Sequence, residues 1–333
     1  MTEQPLLELR RVEKRFARPL DLAERFARKL GAKVREDVVQ AVSGVDLAVR
    51  PGEVVGLVGE SGCGKSTLGR IVAGMMEPSA GAVLWRGRER SGLDAGARKA
   101  ARLAVQMVFQ DASASLNPRR RVRDIVGEAP EVHGIVTRRA ATGYVADMLR
   151  RVGLDPSYAT RYPHQLSGGQ RARIGIARAL AVKPELVVCD EAVAALDVSI
   201  QAQVLNLFME LREALGLTYL FISHDLGVVE HLSDRVAIMY LGRIVETAPT
   251  ETLFAAPNHP YTKALLAEVP RLDERRKRFV ALAGEIPSPL DPPRGCHFHP
   301  RCPHAMPRCR EEVPVLQETA LHHFSACHLN DRI

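Results

Sequence analysis

The amino-acid sequence predicts an α/β core joined to an antiparallel β subdomain and a helical subdomain. Short apolar runs at 54–58, 186–190 and 218–223 are typical of buried strands, and predicted helices follow the first two of them. Upstream, Val45, Leu47 and Val49 alternate with Asp46 and Ala48, which is the period of a half-buried strand. The core and the antiparallel subdomain follow from these two patterns.

Length and composition narrow the class of protein. A chain of 333 residues suggests one large domain with an appendage, and the character of the sequence changes near residue 256. We therefore predict a main domain at 1–256 and a C-terminal extension at 257–333. No apolar run approaches the length of a membrane span, and the first residues lack a secretory signal, which predicts a cytoplasmic protein. A net charge of +7 suits nucleic acid, anionic lipid or nucleotide, and short basic clusters at 119–121 and 275–278 are typical of solvated faces.

A glycine-rich loop between the first buried strand and a helix has the pattern G-x-x-x-x-G-K-[ST] of a phosphate-binding P-loop. Its glycines let backbone N–H groups face inward toward phosphates, and the helix start adds partial positive charge. Lys65 is expected to reach the β and γ phosphates, with the Ser66 hydroxyl toward Mg²⁺. The predicted ATP-binding residues here are Gly59, Ser61, Gly62, Cys63, Gly64, Lys65, Ser66 and Thr67.

Two residues outside this loop are further candidates. Phe16 ends a predicted strand that starts at Leu7, and its ring is expected either to stack on the nucleotide base or to lie in the core. Gln110 ends the strand 105–109, and a glutamine on the following loop is able to reach Mg²⁺ or the attacking water. Between these candidates and the next motif, residues 120–165 have mainly helical patterning.

A second glycine motif opens the helix at 171–180. Ser167 is a good N-cap, and Gly168, Gly169 and Gln170 leave backbone N–H groups open to an anion. Together with the P-loop, about one hundred residues earlier, this motif resembles the signature of the ATP-binding cassette (ABC) family. The resemblance implies that the signature of one subunit covers the γ phosphate held by the P-loop of another subunit.

Three further motifs match the same family. The predicted strand 186–191 ends in Asp190 and Glu191 and resembles the Walker B motif, which implies that Asp190 holds Mg²⁺ and that Glu191 acts as a base or polarises the attacking water. Asp197 lies in a segment that resembles the interface-crossing D-loop, and His224 resembles the switch histidine that contacts the γ phosphate. Ala192 stands where the family usually has proline, a departure that alters neither carboxylate.

The C-terminal extension is similar to the tail of oligopeptide and dipeptide importer ATPases. The resemblance of the extension rests on residues 258–266 and 284–289, and the similarity to these importers covers nearly the whole chain. The amino-acid sequences of the P-loop and Walker B motifs are closer to those of the second ATPase subunit of such importers. It implies a heterodimer with another ABC ATPase subunit, two transmembrane permease subunits and an extracytoplasmic solute-binding protein. The expected location is the cytoplasmic face of the plasma membrane.

Four of the six cysteines lie in this extension, at Cys296, Cys302, Cys309 and Cys327. Structural disulfides are unusual in a cytosolic chain, and a metal staple would stabilise a segment with little core. Zinc prefers closer cysteine pairs than this C-x5-C-x6-C-x17-C spacing, whereas a four-iron cluster tolerates wider loops. The importer resemblance favours a [4Fe–4S] cluster, with Zn²⁺ or no metal as alternatives and neighbouring histidines as substitute ligands.

The predicted function is therefore ATP-driven import of peptides, with nickel, glutathione or another small solute as the alternative cargo. A different class, the nucleic-acid-associated ABC ATPases, shares the nucleotide motifs. Those proteins separate the P-loop from the signature by coiled coils or inserted zinc modules, which this sequence lacks. We accordingly expect no nucleic-acid partner.

Overall fold

The computed structural model describes residues 4–17, 38–268 and 284–332. Two β-sheets organise this part of the chain, and helices pack against them. Most of the predicted insert at 17–38 and the basic cluster at 275–278 lie outside the described residues.

The main sheet has eight strands in the order β11-β12-β10-β9-β3-β8-β7-β6. The five consecutive strands β9-β3-β8-β7-β6 are parallel, and β10, β12 and β11 extend the sheet in antiparallel fashion. Strands β3, β7 and β8 are buried along their whole length, as their continuous apolar runs predict for a covered sheet. The bounds are β3 Val54–Val58, β6 Val105–Val108, β7 Leu186–Asp190, β8 Thr218–Ser223, β9 Arg235–Tyr240, β10 Arg243–Pro249, β11 Gln317–Ala320 and β12 His323–Ser325.

The smaller sheet is antiparallel, with the order β2-β1-β4-β5. Its inward side chains, such as Leu7, Leu9 and Val45, alternate with exposed or half-buried residues, as the sequence pattern predicts. The register of β1 against β2 shifts at three places, which are bulges or irregularities in the pairing. Its strands are β1 Leu7–Ala17, β2 Val38–Val49, β4 Ala80–Trp85 and β5 Arg88–Glu89.

Eleven α-helices lie within the described residues. The middle of the chain forms the helical subdomain, where α4, α5 and α6 contact one another around Val145, Leu149 and Ile174. The helices are α1 Lys65–Val72, α2 Ala95–Ala104, α3 Ala112–Ser115, α4 Val122–Val132, α5 Ala141–Arg151, α6 Gly168–Leu180, α7 Val198–Leu215, α8 Leu226–Leu232, α9 Thr250–Ala255, α10 Pro260–Ala267 and α11 Pro307–Glu311.

The C-terminal extension packs directly on the main domain. Its hairpin β11–β12 adds two strands to the edge of the main sheet beside β10, a pairing that the sequence analysis did not predict. Tyr261, Leu265 and Phe298 share one apolar core with Val58 and Tyr240 of the main sheet. None of the helices in the described ranges combines the length and apolarity needed to cross a membrane.

Candidate functional site

The P-loop joins β3 to α1 and depends on glycine at two close approaches. A Cβ on Gly59 would lie 2.1 Å from the Met239 carbonyl oxygen, and a Cβ on Gly64 would lie 2.1 Å from that of Ala41. Gly64 also has φ +108°, in the region that favours glycine. Lys65 is buried at the start of α1, and its ammonium donates to the carbonyl oxygens of Gly59 and Glu60 at 2.7 and 2.9 Å. The loop therefore curls around the Lys65 ammonium.

The side chains of Ser66 and Asp190 contact each other at the carboxyl ends of the parallel strands of the main sheet. The Ser66 hydroxyl donates to Asp190 Oδ1 at 2.8 Å, although 124 positions separate the two residues. Burial raises the pKa of the Asp190 carboxyl, while the Ser66 hydrogen bond and the nearby Arg70 and Lys65 charges act in the opposite direction. A hydroxyl beside a buried carboxylate is an oxygen donor set that suits Mg²⁺.

Glu191 lies beside this pair and is held by two side chains from neighbouring strands. Gln110 Nε2 donates to Glu191 Oε2 at 2.7 Å, and His224 Nδ1 lies 3.3 Å from Glu191 Oε1. Gln110 follows β6, Glu191 follows β7 and His224 follows β8, which are adjacent parallel strands. Their carboxyl ends meet at the edge where β3 delivers the P-loop, so the fold brings the predicted catalytic residues together.

The signature residues lie on the helical subdomain. Ser167 caps α6: its hydroxyl accepts from the Gln170 N–H at 3.3 Å, and the Ser167 N–H donates to Gln170 Oε1 at 3.0 Å. Gln170 also donates to the Tyr158 hydroxyl at 3.1 Å. Ser167 and Gly168 are exposed. Among the described residues, no hydrogen bond joins this motif to the P-loop.

Asp197 and Phe16 lie at the margins of these two motifs. Asp197 is exposed and precedes α7, whose Ile200 lies against Gly169 of the signature. Phe16 is 40% exposed and pairs with Val39, two residues before the Ala41 carbonyl that touches Gly64. Its ring therefore projects from the small sheet near the P-loop rather than into the core.

The four C-terminal cysteines differ from the sequence-based expectation. All are free, and among the described residues no group of three or more His, Cys, Asp or Glu side chains is arranged to hold a metal ion. Burial raises the pKa of the Cys296 thiol to about 11. The Nδ1 atom of His297 lies 3.0 Å from the Leu241 carbonyl oxygen, and that of His299 lies 2.9 Å from the Cys296 carbonyl oxygen. The geometry thus gives no support to the predicted [4Fe–4S] cluster or Zn²⁺ site.

One contact at the P-loop was not expected from the sequence. Arg301, in the C-terminal extension, makes two hydrogen bonds to the carboxylate of Glu60 in the loop. The two residues are 241 positions apart and no motif links them, so only the fold reveals the pair.

Two family models match the chain. The model described as "ABC transporter" matches residues 42–194, which contain the P-loop, the signature and the Walker B strand, and "Oligopeptide/dipeptide transporter, C-terminal region" matches residues 245–309. Both agree with the resemblance read from the motifs.

Similar proteins and structures cover most of the chain. It is 51% identical over 331 residues to "Oligopeptide transport ATP-binding protein AppF" of Bacillus subtilis, covering 98% of both chains. It is 52% identical over 298 residues to "Probable peptide ABC transporter ATP-binding protein y4tS" of Sinorhizobium fredii, covering 89% of this chain and 84% of that protein.

Solved structures agree on the cassette fold. The ATP-binding cassette MJ0796, a dimer in a post-hydrolysis state bound to ADP and Pi, is 27% identical with a TM-score of 0.61, covering 73% of this chain and 98% of that one. CbiO1 from Clostridium perfringens, part of the ABC transporter complex CbiONQ, is 25% identical with a TM-score of 0.62, covering 76% of this chain and 92% of that one. The chain therefore belongs to the ABC transporter family, among its ATP-binding proteins that carry the oligopeptide/dipeptide transporter C-terminal region.

Proposed function

We propose that this chain is the ATP-hydrolysing subunit of an importer that takes up peptides. The observation that carries the proposal is the cluster of Ser66, Asp190, Glu191, Gln110 and His224 beside the Lys65 loop. The names of the two relatives, which describe oligopeptide and peptide transport, support peptides as the cargo. The alternative cargo is nickel, glutathione or another small solute.

The P-loop and the strand ends would divide the chemistry between them. Lys65 and the loop N–H groups would bind the β and γ phosphates, and Ser66, Asp190 and Gln110 would hold Mg²⁺. Bound Mg²⁺ would neutralise charge on the phosphates. Glu191 would accept the proton of the attacking water, with His224 and Gln110 orienting the carboxylate. The exposed ring of Phe16 would stack on the base.

The signature would act on the nucleotide of a second subunit. Because Ser167 and Gly168 are exposed at the start of α6, this helix N-terminus would be accessible to a γ phosphate outside this chain. Asp197 and the exposed Val198 lie beside them and suit the same interface. We propose a heterodimer with a related ATPase subunit, which would close on ATP and reopen after hydrolysis.

The remaining assignments follow from this assembly. Two permease subunits and an extracytoplasmic solute-binding protein would complete the importer, and the chain would lie on the cytoplasmic face of the membrane. We divide it into a nucleotide-binding domain at 1–256 and a C-terminal extension at 257–333. We propose no nucleic-acid partner.

Reconstitution tests the function directly. In vesicles that contain the chain with its partner ATPase and permeases, we expect labelled peptide to enter only with Mg-ATP and a peptide-loaded binding protein. Lys65→Ala should abolish uptake because it removes the phosphate-binding ammonium. Uptake of nickel or glutathione without peptide uptake would contradict the proposal that peptides are the cargo. ATPase activity that responds to DNA instead would contradict the proposed importer function.

We also propose the four cysteines as a [4Fe–4S] site, with Zn²⁺ as the alternative. The proposal is supported by the sequence alone, in which four cysteines with wide C-x5-C-x6-C-x17-C spacing lie in a segment rich in proline and glycine. Metal analysis of protein purified without oxygen decides between the two. Four iron atoms per chain with visible absorbance would support the cluster, one zinc would support the alternative, and neither metal would reject both.

A further inference from the structure

The P-loop is anchored from outside by the C-terminal extension. The Glu60 N–H donates to the Tyr261 hydroxyl at 3.0 Å. Its carboxylate accepts two hydrogen bonds from Arg301, from Nη1 to Oε2 at 2.7 Å and from Nη2 to Oε1 at 3.0 Å. Since the Glu60 carbonyl also accepts from Lys65, this loop residue is fixed at three points, and two of them come from beyond residue 257.

The ion pair between Arg301 and Glu60 is partly buried. The Arg301 side chain is 5% exposed and that of Glu60 is 21% exposed. A guanidinium that donates two parallel bonds to one carboxylate fixes both position and orientation. Elsewhere in the extension, Arg308 pairs with Glu312, but these side chains are 49% and 57% exposed. Solvent screens such a surface pair, so it contributes little.

The second anchor is rooted in an aromatic cluster. Tyr261 is fully buried, and its ring lies 4.6 Å from that of Tyr240 and 5.4 Å from that of Phe298, between ring centroids. Phe298 is itself buried and lies three residues before Arg301. Tyr261 and Arg301, which both contact Glu60, therefore belong to one packed region at the end of β9. This packing limits the movement of the loop.

We propose that Arg301 and Tyr261 are positioning residues for the phosphate loop, through which the C-terminal extension sets the affinity for ATP. Neither side chain is assigned a contact with phosphate. By fixing Glu60, they hold the loop backbone in its curled form, so that only the Lys65 side chain has to turn toward a phosphate. The inference rests on the proposed phosphate site at Lys65.

Nucleotide binding to the full chain tests the role. Titration with a fluorescent ATP analogue should show about tenfold weaker binding for Arg301→Ala, because a charged hydrogen-bonded pair is lost. Arg301→Lys should restore only part of the affinity, since an ammonium makes no fork with the carboxylate. The matched control is Arg308→Ala, which removes two exposed ion pairs of the same extension, to Glu312 and Asp331, and should bind like the wild type.

A double-mutant cycle separates positioning from general destabilisation. Glu60→Gln should weaken binding as Arg301→Ala does, and the double variant should be no weaker than either single variant. Glu60→Gln changes no volume and tests the pair from the loop side if Arg301→Ala does not fold. Independent, additive losses that track a lower melting temperature would overturn the positioning role.

Failure of the inference and failure of the proposed function give different results. If the wild type binds ATP, Lys65→Ala does not, and both Arg301→Ala and Glu60→Gln bind as tightly as the wild type, the inference alone is wrong. If the wild type does not bind ATP, or if Lys65→Ala leaves binding unchanged, the proposed phosphate site is wrong.

Discussion

Glu191 combines an unusual backbone with two side-chain partners. Its φ of +48° lies in the left-handed region, which a glutamate rarely adopts, and its N–H donates to the Ile222 carbonyl of β8. Such a conformation persists only where the surroundings impose it. Here the left-handed backbone directs the Glu191 carboxylate between Gln110 and His224, at the strand ends where the P-loop lies.

Replacement of this carboxylate tests its role as the base. We expect Glu191→Gln to retain ATP binding but to lower hydrolysis by about 100-fold or more in the assembled transporter, because an amide does not accept the proton of water. ATP should then trap the closed dimer. The measurement is phosphate release together with bound nucleotide. Glu185→Gln, just before the same strand, is the control and should turn over normally.

Full turnover by Glu191→Gln would remove Glu191 from this role. An equal loss in Glu185→Gln would show that the effect comes from the strand rather than from the carboxylate.

The sequence predicts these residues but not their partners. Lys65, Ser66, Asp190, Glu191 and His224 are recognisable because their motifs lie at strand ends. The hydrogen bond from Gln110 to Glu191 depends on β6 and β7 being neighbours, and strand order is not written in either motif. Spacing likewise identifies four cysteines without specifying whether their thiols point at a common metal.

At the scale of elements, the bounds of the main strands and helices follow closely from apolar patterning. The strands 54–58 and 218–223 and the helix 198–215 begin and end where the sequence predicts. The hairpin β11–β12 was not predicted because β11 is exposed or half-buried, and because the buried residues of β12, His323 and Ser325, are polar and give no apolar alternation. Its strand character comes from pairing with the edge of β10, which is a tertiary effect.

Helix α10 supplies a pH-dependent contribution to stability. Its N-cap His259 accepts the Tyr261 N–H at Nδ1, at 3.1 Å, and its own N–H donates to Glu246 at 2.9 Å. Burial lowers the pKa of His259 to about 4 from an ordinary 6.5, and the Lys263 charge acts in the same direction. The folded state therefore holds the imidazole neutral.

We expect the free energy of unfolding to fall as the pH drops from 6.5 toward 4. In this window the unfolded histidine takes up a proton while the folded one does not, so acid favours unfolding. His259→Asn keeps an acceptor at the cap without titrating. Urea denaturation across this window should show a shallower pH dependence for the variant, and equal slopes in the two proteins would contradict the assignment.

At the scale of the whole molecule, the two motifs that are expected to bind ATP, the P-loop and the signature, have different surroundings. Lys65 and its loop lie at the carboxyl end of β3 and are anchored by the C-terminal extension. Ser167, in contrast, is exposed at the start of α6. The sequence predicts both motifs, and among the described residues no hydrogen bond joins one to the other. ATP turnover is therefore expected to require a second subunit that supplies the missing signature.

The most direct test is the dependence of magnesium-dependent ATP hydrolysis on association. Purified chain is diluted until light scattering shows a monomer, and phosphate release is measured with and without the partner ATPase subunit. We expect negligible turnover by the monomer and hydrolysis when the partner is added. Ser167→Arg in this chain should abolish the hydrolysis that depends on its signature. Robust hydrolysis by the monomer, at a rate per chain that does not change on dilution, would contradict the composite site.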